Sequence, residues 1–368
     1  MSGIVRDVRT MDAVYLHGPG DLRVDDVEQH DVSTGTIAVD IEYTGICGSD
    51  LHEYEVGPVP IRAEATDHSI PESEWDEYLP KPMGHEIAGT VSDVSETVDD
   101  VQVGDRVTLN MVASCHDCRY CAAGKYHLCE RGDGGVVSSR GFADRIVVPS
   151  SMAVHVPDEV SLRHAALTEP LGVSLRGVRR SGLEPTDRIA VFGAGPIGLG
   201  VVAGAAAAGA REIYVSEPRA TRREAAKALG ADVVIDPTAV DAVEKIQRET
   251  DRVDVSFECA GTATTLTDAL RSTAYGETVV VLSVFEEEVP IHPNDIMQAE
   301  RELVGSFGFQ GGPLVSQSEF STALDLIADG RIDPEPMITK TVSLDAVESA
   351  FESLRDPETD QIKVLAEP

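Results

Sequence analysis

An apolar strand that runs into three spaced glycines limits this chain more than any other feature. Ile189–Phe192 leads directly into Gly193-Ala194-Gly195-Pro196-Ile197-Gly198, followed by the Ala-rich segment Pro196–Ala208. In a strand–turn–helix unit the first glycine makes the tight turn. The second lets the backbone approach a pyrophosphate, and the third lets helix and strand pack closely. The helix start then offers free N–H groups and a partial positive charge to phosphates. Further strands are predicted at Glu212–Val215, Val233–Ile235, Val253–Glu258 and Glu277–Leu282, with a second helix over Arg219–Leu229. Strand and helix in alternation predict a doubly wound parallel sheet. Glu217 ends the second strand, 19 residues beyond Gly198, where a carboxylate meets the adenosine ribose hydroxyls. It favours NAD, because a 2′-phosphate would be repelled. Arg219, Arg222 and Arg223 follow closely. Arginine there can hold a 2′-phosphate, so NADP stays open as the less favoured cofactor; the other reading is a solvated helix face. The candidate dinucleotide residues are Gly193, Gly195, Pro196, Ile197, Gly198, Glu217 and Arg222.

Ahead of this unit the rhythm differs. Short strands are predicted at Thr36–Tyr43, Glu86–Val91, Arg106–Met111 and Arg145–Val148, separated by Gly/Pro/Asp turns, which suggests an antiparallel barrel or sandwich. Between Glu55 and Lys81 a long excursion is rich in Pro, Asp and Glu and carries the single tryptophan, Trp75. Connections of that length are usually functional lids or disordered. After about Leu303 the pattern turns irregular, then amphipathic at Ser318–Asp329 and Leu344–Leu354. This tail is expected to pack back on the first domain. The expected division is therefore 1–165 with 307–368, and 166–306 for the dinucleotide-binding domain.

Cys115-x2-Cys118-x2-Cys121-x7-Cys129 brings four thiols into 15 residues. Four thiolates around tetrahedral zinc need short loops that bend the chain about one point. Disulfides are disfavoured in an intracellular chain, and the Cys-Pro that follows many iron–sulfur triads is absent. Three other fragments carry ligand chemistry: Gly45-Ile46-Cys47-Gly48-Ser49-Asp50-Leu51-His52, Gly84-His85-Glu86, and Thr168-Glu169-Pro170-Leu171. Cys, His and a carboxylate are the ligand types of an open zinc site whose fourth position is left for substrate. Taken singly, Cys47 reads as a small buried hydrophobe, His85 as a satisfied turn residue and Glu169 as a helix-start charge.

The order of these fragments, the cysteine quartet and the glycine turn resembles that of zinc-dependent medium-chain dehydrogenases over essentially the full chain. The branch it is most similar to is that of the sorbitol and butanediol dehydrogenases. That likeness rests on G-I-C-G-S-D-L-H-E-Y from Gly45, G-H-E from Gly84, E-P-L from Glu169, V-S-E-P from Val215, and Asp333-Pro334-Glu335-Pro336-Met337-Ile338-Thr339. The resemblance implies an α/β chain: a GroES-like β-barrel catalytic domain plus a Rossmann domain. It implies two zinc ions per chain, one structural on Cys115, Cys118, Cys121 and Cys129. The catalytic zinc would take Cys47, His85 and Glu169, with Glu86 as a ligand or a carboxylate that swings on and off the metal. Ser49 and His52 match a proton relay. The implied reaction is hydride transfer between NAD and a secondary alcohol or its ketone. A small vicinal diol such as 2,3-butanediol, or acetoin, stands ahead of sorbitol-like polyols, aldose sugars and threonine. The reason is that Val56, Val59, Ile61, Trp75 and Tyr78 of the excursion would add apolar wall. A non-catalytic nucleotide-binding protein on the same scaffold is the competing class, but such relatives typically lose the zinc ligands.

Charge narrows the partners. The chain has 64 acidic and 30 basic residues, a formal net charge of −34, and only six of the basic residues are lysine. Phosphate-backbone binding needs a cationic surface, so nucleic acid is excluded as a partner. An anionic membrane is disfavoured for the same reason, and the longest weakly apolar run, Leu199–Ala210, is too short to span a bilayer. Self-repulsion of this size loosens a compact state unless cations screen it. The composition resembles that of halophilic archaeal proteins. Met1–Thr10 has no apolar signal segment, and a cytoplasmic homodimer or homotetramer is expected.

Overall fold

The computed structural model describes residues 9–59, 70–112, 114–130, 140–310, 318–356 and 358–368. Contacts divide the chain into two units. One comprises Met1–Ala166, Lys340–Thr359 and Val364–Pro368, the other Leu167–Thr339 and Asp360–Lys363.

The first unit is built on antiparallel strands. Thr36–Gly45 pairs with Glu86–Val94, Arg145–Pro149 and Lys363–Glu367. Glu86–Val94 continues to Arg106–Leu109, and that strand to Ala153–His155. Ile37, Val39, Ile41, Ile87, Val91 and Val107 share one buried cluster. Alternation slips once on each strand of the central pair. Ser92 has no partner between the rungs Ala38–Asp93 and Val39–Val91, and Glu42 has none between Ile41–Gly89 and Tyr43–Ala88. Each is an extra residue accommodated as a bulge. The last rung sets Gly45 opposite Glu86. A second cluster joins Val14, Leu16, Ile46, Tyr54, Phe142 and Phe351 and fixes the helix Gly48–Val56.

The second unit is a six-stranded parallel sheet. Its strand order is Val233–Ile235, Glu212–Ser216, Arg188–Phe192, Val253–Glu258, Thr273–Val281, Glu302–Gly305. The helix Pro196–Ala208 follows the glycine turn and is closed by Gly209. Thr273–Val281 begins four residues before the expected strand Glu277–Leu282.

One expectation is corrected. Residues 307–339, expected with the first domain, group with the second unit. The helix Glu319–Ala328 accounts for this: Phe320 is fully buried against Phe309, with ring centroids 4.6 Å apart, and lies over Gly172 of the helix Thr168–Ser181. Its apolar stripe, Phe320, Ala323, Leu324 and Ile327, is spent there. The later helix Val347–Arg355 does belong to the first unit, through Val347 and Phe351. Among the described residues no helix is long and apolar enough to cross a membrane.

Candidate functional site

The parallel sheet reverses its winding between Arg188–Phe192 and Val253–Glu258, the switch point at which such sheets bind ligands. Gly193 stands there at φ +95°, where a Cβ would lie 2.9 Å from the Cβ of Ala260. A Cβ on Gly198 would lie 1.9 Å from the Gly193 carbonyl oxygen, so helix and turn meet at a distance only glycine permits. Pro196 opens the helix, and the Ile197 carbonyl accepts the Ser174 hydroxyl at 2.9 Å.

Glu217 is buried, with both oxygens engaged. Oε2 accepts the Ala194 N–H at 2.8 Å and Oε1 accepts the Arg219 N–H at 2.9 Å. The three arginines separate by role. Arg223 donates to the Glu217 carbonyl at 2.8 Å and pairs with Asp236 at 3.1 Å. Arg222 brings Nη1 within 3.8 Å of where a Gly195 Cβ would stand. Burial and the neighbouring Arg219 charge lower the Arg222 pKa from its ordinary value.

Sequence reading missed Glu258. Its Oε1 accepts from Ala260 N–H and Gly261 N–H, both at 2.9 Å, and from Thr265 Oγ1 at 2.8 Å, while Ser283 Oγ donates to Oε2. One buried carboxylate thus ties the loop after Val253–Glu258 to the loop after Thr273–Val281. The trace in the sequence was an acid at the very end of a mostly buried strand.

The cysteine quartet is assembled. Ligand atoms of Cys115, Cys118, Cys121 and Cys129 all lie within 4.8 Å of one another. Cys118 Sγ is 3.6 Å from Cys121 Sγ and 4.0 Å from Cys129 Sγ. Tetrahedral zinc with Zn–S bonds of about 2.3 Å needs sulfurs about 3.8 Å apart. Backbone N–H groups of Cys115 and Cys118 point at the sulfurs of Cys129 and Cys115, at 3.2 and 3.3 Å. Hydrogen bonds from the backbone of Cys121 and Glu130 pull the Cys118 thiol down to about 6, whereas burial pushes Cys121 up to about 12. The loops therefore already favour thiolate on one sulfur, the form a metal binds.

A second group joins Cys47, His85 and Glu86, whose ligand atoms also share 4.8 Å. Cys47 is the N-cap of the helix Gly48–Val56, His85 follows the Gly84 turn, and Glu86 starts its strand opposite Gly45. Glycine at 45 leaves room for the Glu86 carboxylate as it stands, because a Cβ there would lie 1.8 Å from Glu86 Oε2 and push that side chain aside. Glu169, the other expected ligand, belongs to the second unit, where it is buried at the start of the helix Thr168–Ser181. Ser49 and His52 lie one turn apart on the Cys47-capped helix, Ser49 exposed and His52 half-buried.

Asp50 is the residue of this group that sequence reading left without a role. It is buried; Oδ2 accepts the Cys47 N–H at 3.0 Å, and Oδ1 lies 3.4 Å from His85 Nδ1. An acid three residues after a helix cap was its signature. Burial alone would lower the His85 pKa, but the charges of Asp50 and Cys47 lift it well above its ordinary value. The group therefore draws positive charge to one buried point. Thiol, imidazole and carboxylate are the donors that zinc takes, and both clusters fit the ion.

Two family models match the chain: an alcohol dehydrogenase GroES-like domain over residues 33–158 and a zinc-binding dehydrogenase over 196–329. The chain is 35% identical to the (R,R)-butanediol dehydrogenase of Bacillus subtilis, over 97% of this chain and 100% of that one. It is 30% identical to the sorbitol dehydrogenase of the same species over 98% of both. A zinc-binding dehydrogenase of Sinorhizobium meliloti 1021, solved bound to NADP, superposes with a TM-score of 0.85. It is 33% identical and covers 98% of this chain and 100% of that one.

Proposed function

The chain belongs to the zinc-binding alcohol dehydrogenase family, and from that premise we propose that it interconverts a small vicinal diol and its hydroxyketone, with 2,3-butanediol and acetoin as the model pair. That it is a zinc- and NAD(P)-dependent oxidoreductase follows from the family. The finer reading rests on the 35% identity to a butanediol dehydrogenase over almost the whole chain.

Zinc, when bound, supplies a Lewis acid that lowers the alcohol pKa, and the nicotinamide accepts the hydride. The remainder is done by residues of this chain. Cys47, His85 and Glu86 are proposed to hold the catalytic metal, and Asp50 orients two of them by accepting from Cys47 and facing His85. Ser49 is assigned to take the alcohol proton and His52 to deliver it to solvent, since the two stand a helical turn apart behind the capping cysteine. Cys115, Cys118, Cys121 and Cys129 are proposed to hold a structural zinc. Gly193, Gly195, Pro196, Ile197 and Gly198 would receive the pyrophosphate. Glu217 would direct the ribose toward NAD, and Arg222, beside the Gly195 turn, would lie along the nucleotide.

We assign a cytoplasmic setting of high salt, given the net charge of −34, and a homo-oligomer. The edge strand Glu302–Gly305 supports the latter, since Leu303 and, just beyond it, Phe307 are exposed. The test of the activity is a substrate panel with NAD, following NADH by absorbance: 2,3-butanediol is expected to exceed sorbitol in kcat/KM. A preference for sorbitol, an aldose or threonine would overturn the diol assignment and leave the family intact.

A further inference from the structure

The cofactor loops occupy the carboxyl ends of the parallel strands. A different site lies at the amino ends. Arg252 immediately precedes Val253–Glu258, Arg271 lies in the last turn of the helix Ala263–Ser272, and Arg301 immediately precedes Glu302–Gly305. With Tyr275 and Gln247 they line a cavity of about 380 Å³ that also receives Asp295.

In a chain with 64 acidic and 30 basic residues, several arginines are paired with a carboxylate, as Arg223 is with Asp236, Arg188 with Glu212 and Arg179 with Glu319. Among the described residues none of the three cavity arginines has a carboxylate oxygen within 4.0 Å. The hydrogen-bond partners of Arg301 are neutral, while Arg271 lies near the Asp268 carboxylate of its own helix. Arg301 Nε donates to the Thr273 carbonyl at 2.9 Å and Nη1 to the Asp295 carbonyl at 2.6 Å, which fixes the guanidinium without cancelling its charge. Arg252 and Arg301 both lie over the Tyr275 ring, 5.1 and 5.4 Å from its centroid. The buried Nε of Arg252 has no hydrogen-bond partner. Arg252 and Arg301, held by carbonyls and a ring, repel one another, and an anion entering between them relieves that repulsion.

The geometry points to this cavity as a binding site for a compact, multiply charged oxyanion of the phosphate class, either inorganic phosphate or the phosphoryl group of a small metabolite. Planar guanidinium forks match such an anion with paired hydrogen bonds. The Gln247 amide adds a neutral donor, and a protonated phosphate oxygen can donate to Asp295.

Calorimetric titration tests this. Inorganic phosphate is added to enzyme loaded with zinc and saturated with NADH, so that the glycine turn is already filled, at ionic strength held constant with chloride. One saturable phosphate per chain is expected. Arg252→Gln and Arg271→Gln should each weaken it about tenfold, the loss of one charge-assisted hydrogen bond, while NADH affinity and diol turnover stay unchanged. Repeating the titration with glycerol 3-phosphate separates the two sources, the tighter ligand being the one the pocket was built for. The proposal is overturned if phosphate does not saturate, or if chloride competes equally, an adventitious ion only. It is equally overturned if the variants bind phosphate as the unmodified enzyme does, or change its oligomeric state instead.

Discussion

Glu217 Oε2 accepts the backbone N–H of Ala194 at 2.8 Å, so the carboxylate that was expected to meet the ribose is itself part of the turn that meets the pyrophosphate. A carboxylate offers about four acceptor sites, and two are in use here. NAD is expected to exceed NADP in kcat/KM. Glu217→Ser should narrow that gap and also weaken NAD binding, because the turn loses an anchor; Glu217→Gln should keep more NAD affinity than Ser. Equal use of NADP by the unmodified enzyme would refute the first statement. An undiminished NAD affinity in the Ser variant would refute the second.

Metal analysis is expected to give two zinc ions per chain. Cys47→Ala should leave a folded protein with one zinc and activity lower by about a thousandfold or more, the loss of several kcal/mol of charge stabilisation. Cys118→Ala should instead lower Tm and protein yield, because structural zinc contributes folding free energy directly. A fully active Cys47→Ala enzyme would remove the catalytic assignment.

Asp50→Asn keeps an acceptor for the Cys47 N–H but removes the charge facing His85. Loss of such an outer partner typically costs about 10–100-fold in metal affinity. The expected result is faster loss of one zinc of two to a chelator, with activity falling in step. Unchanged retention of both ions would show that Asp50 is merely a helix cap.

Much of this site was legible in the sequence, since glycines and ligand types announce themselves. Gly193, Gly195 and Gly198 specify a turn by what they lack, and Cys47, His85 and Glu86 by what they can bind. Asp50 and Glu258 were not legible in the same way. Their function is to satisfy backbone N–H groups whose positions exist only after folding, and an acid near a helix start or at a strand end is only a faint mark of that. The place of the helix Glu319–Ala328 was missed for a related reason. Its apolar stripe was evident, but which surface it covers depends on Gly172, far away in the chain, and on how Phe309 is turned toward it.

Salt should stabilise the enzyme. The net charge of −34 is screened over about 10 Å at 0.1 M salt and about 3 Å at 1 M. Tm and activity are expected to rise across that range. A flat response would remove the high-salt reading.

Trp75 offers a probe of the excursion, whose residues 60–69, Ile61 among them, lie outside those described. Its Nε1 donates to the Ile70 carbonyl at 2.8 Å, and its ring packs on Gly57 at the end of the Cys47-capped helix. If this stretch supplies apolar wall, Trp75→Ala should lower the butanediol-to-sorbitol ratio of kcat/KM severalfold. An unchanged ratio would clear the stretch of any part in selection.

The two bulges in the central strand pair bear on how this protein can change length and survive. Glu42 and Ser92 are surplus residues, each already absorbed without disturbing the rungs on either side. Deleting either one should heal its bulge and leave Gly45 facing Glu86. One residue added between Tyr43 and Gly45, or between Glu86 and Val91, would instead turn every later side chain to the opposite face. It would carry the Glu86 carboxylate off Gly45. Deletions in this wall should therefore be tolerated at two addresses, and changes of length should be lethal to metal binding at the rungs near the site. A lineage could lose a residue at position 42 or 92 and keep its chemistry.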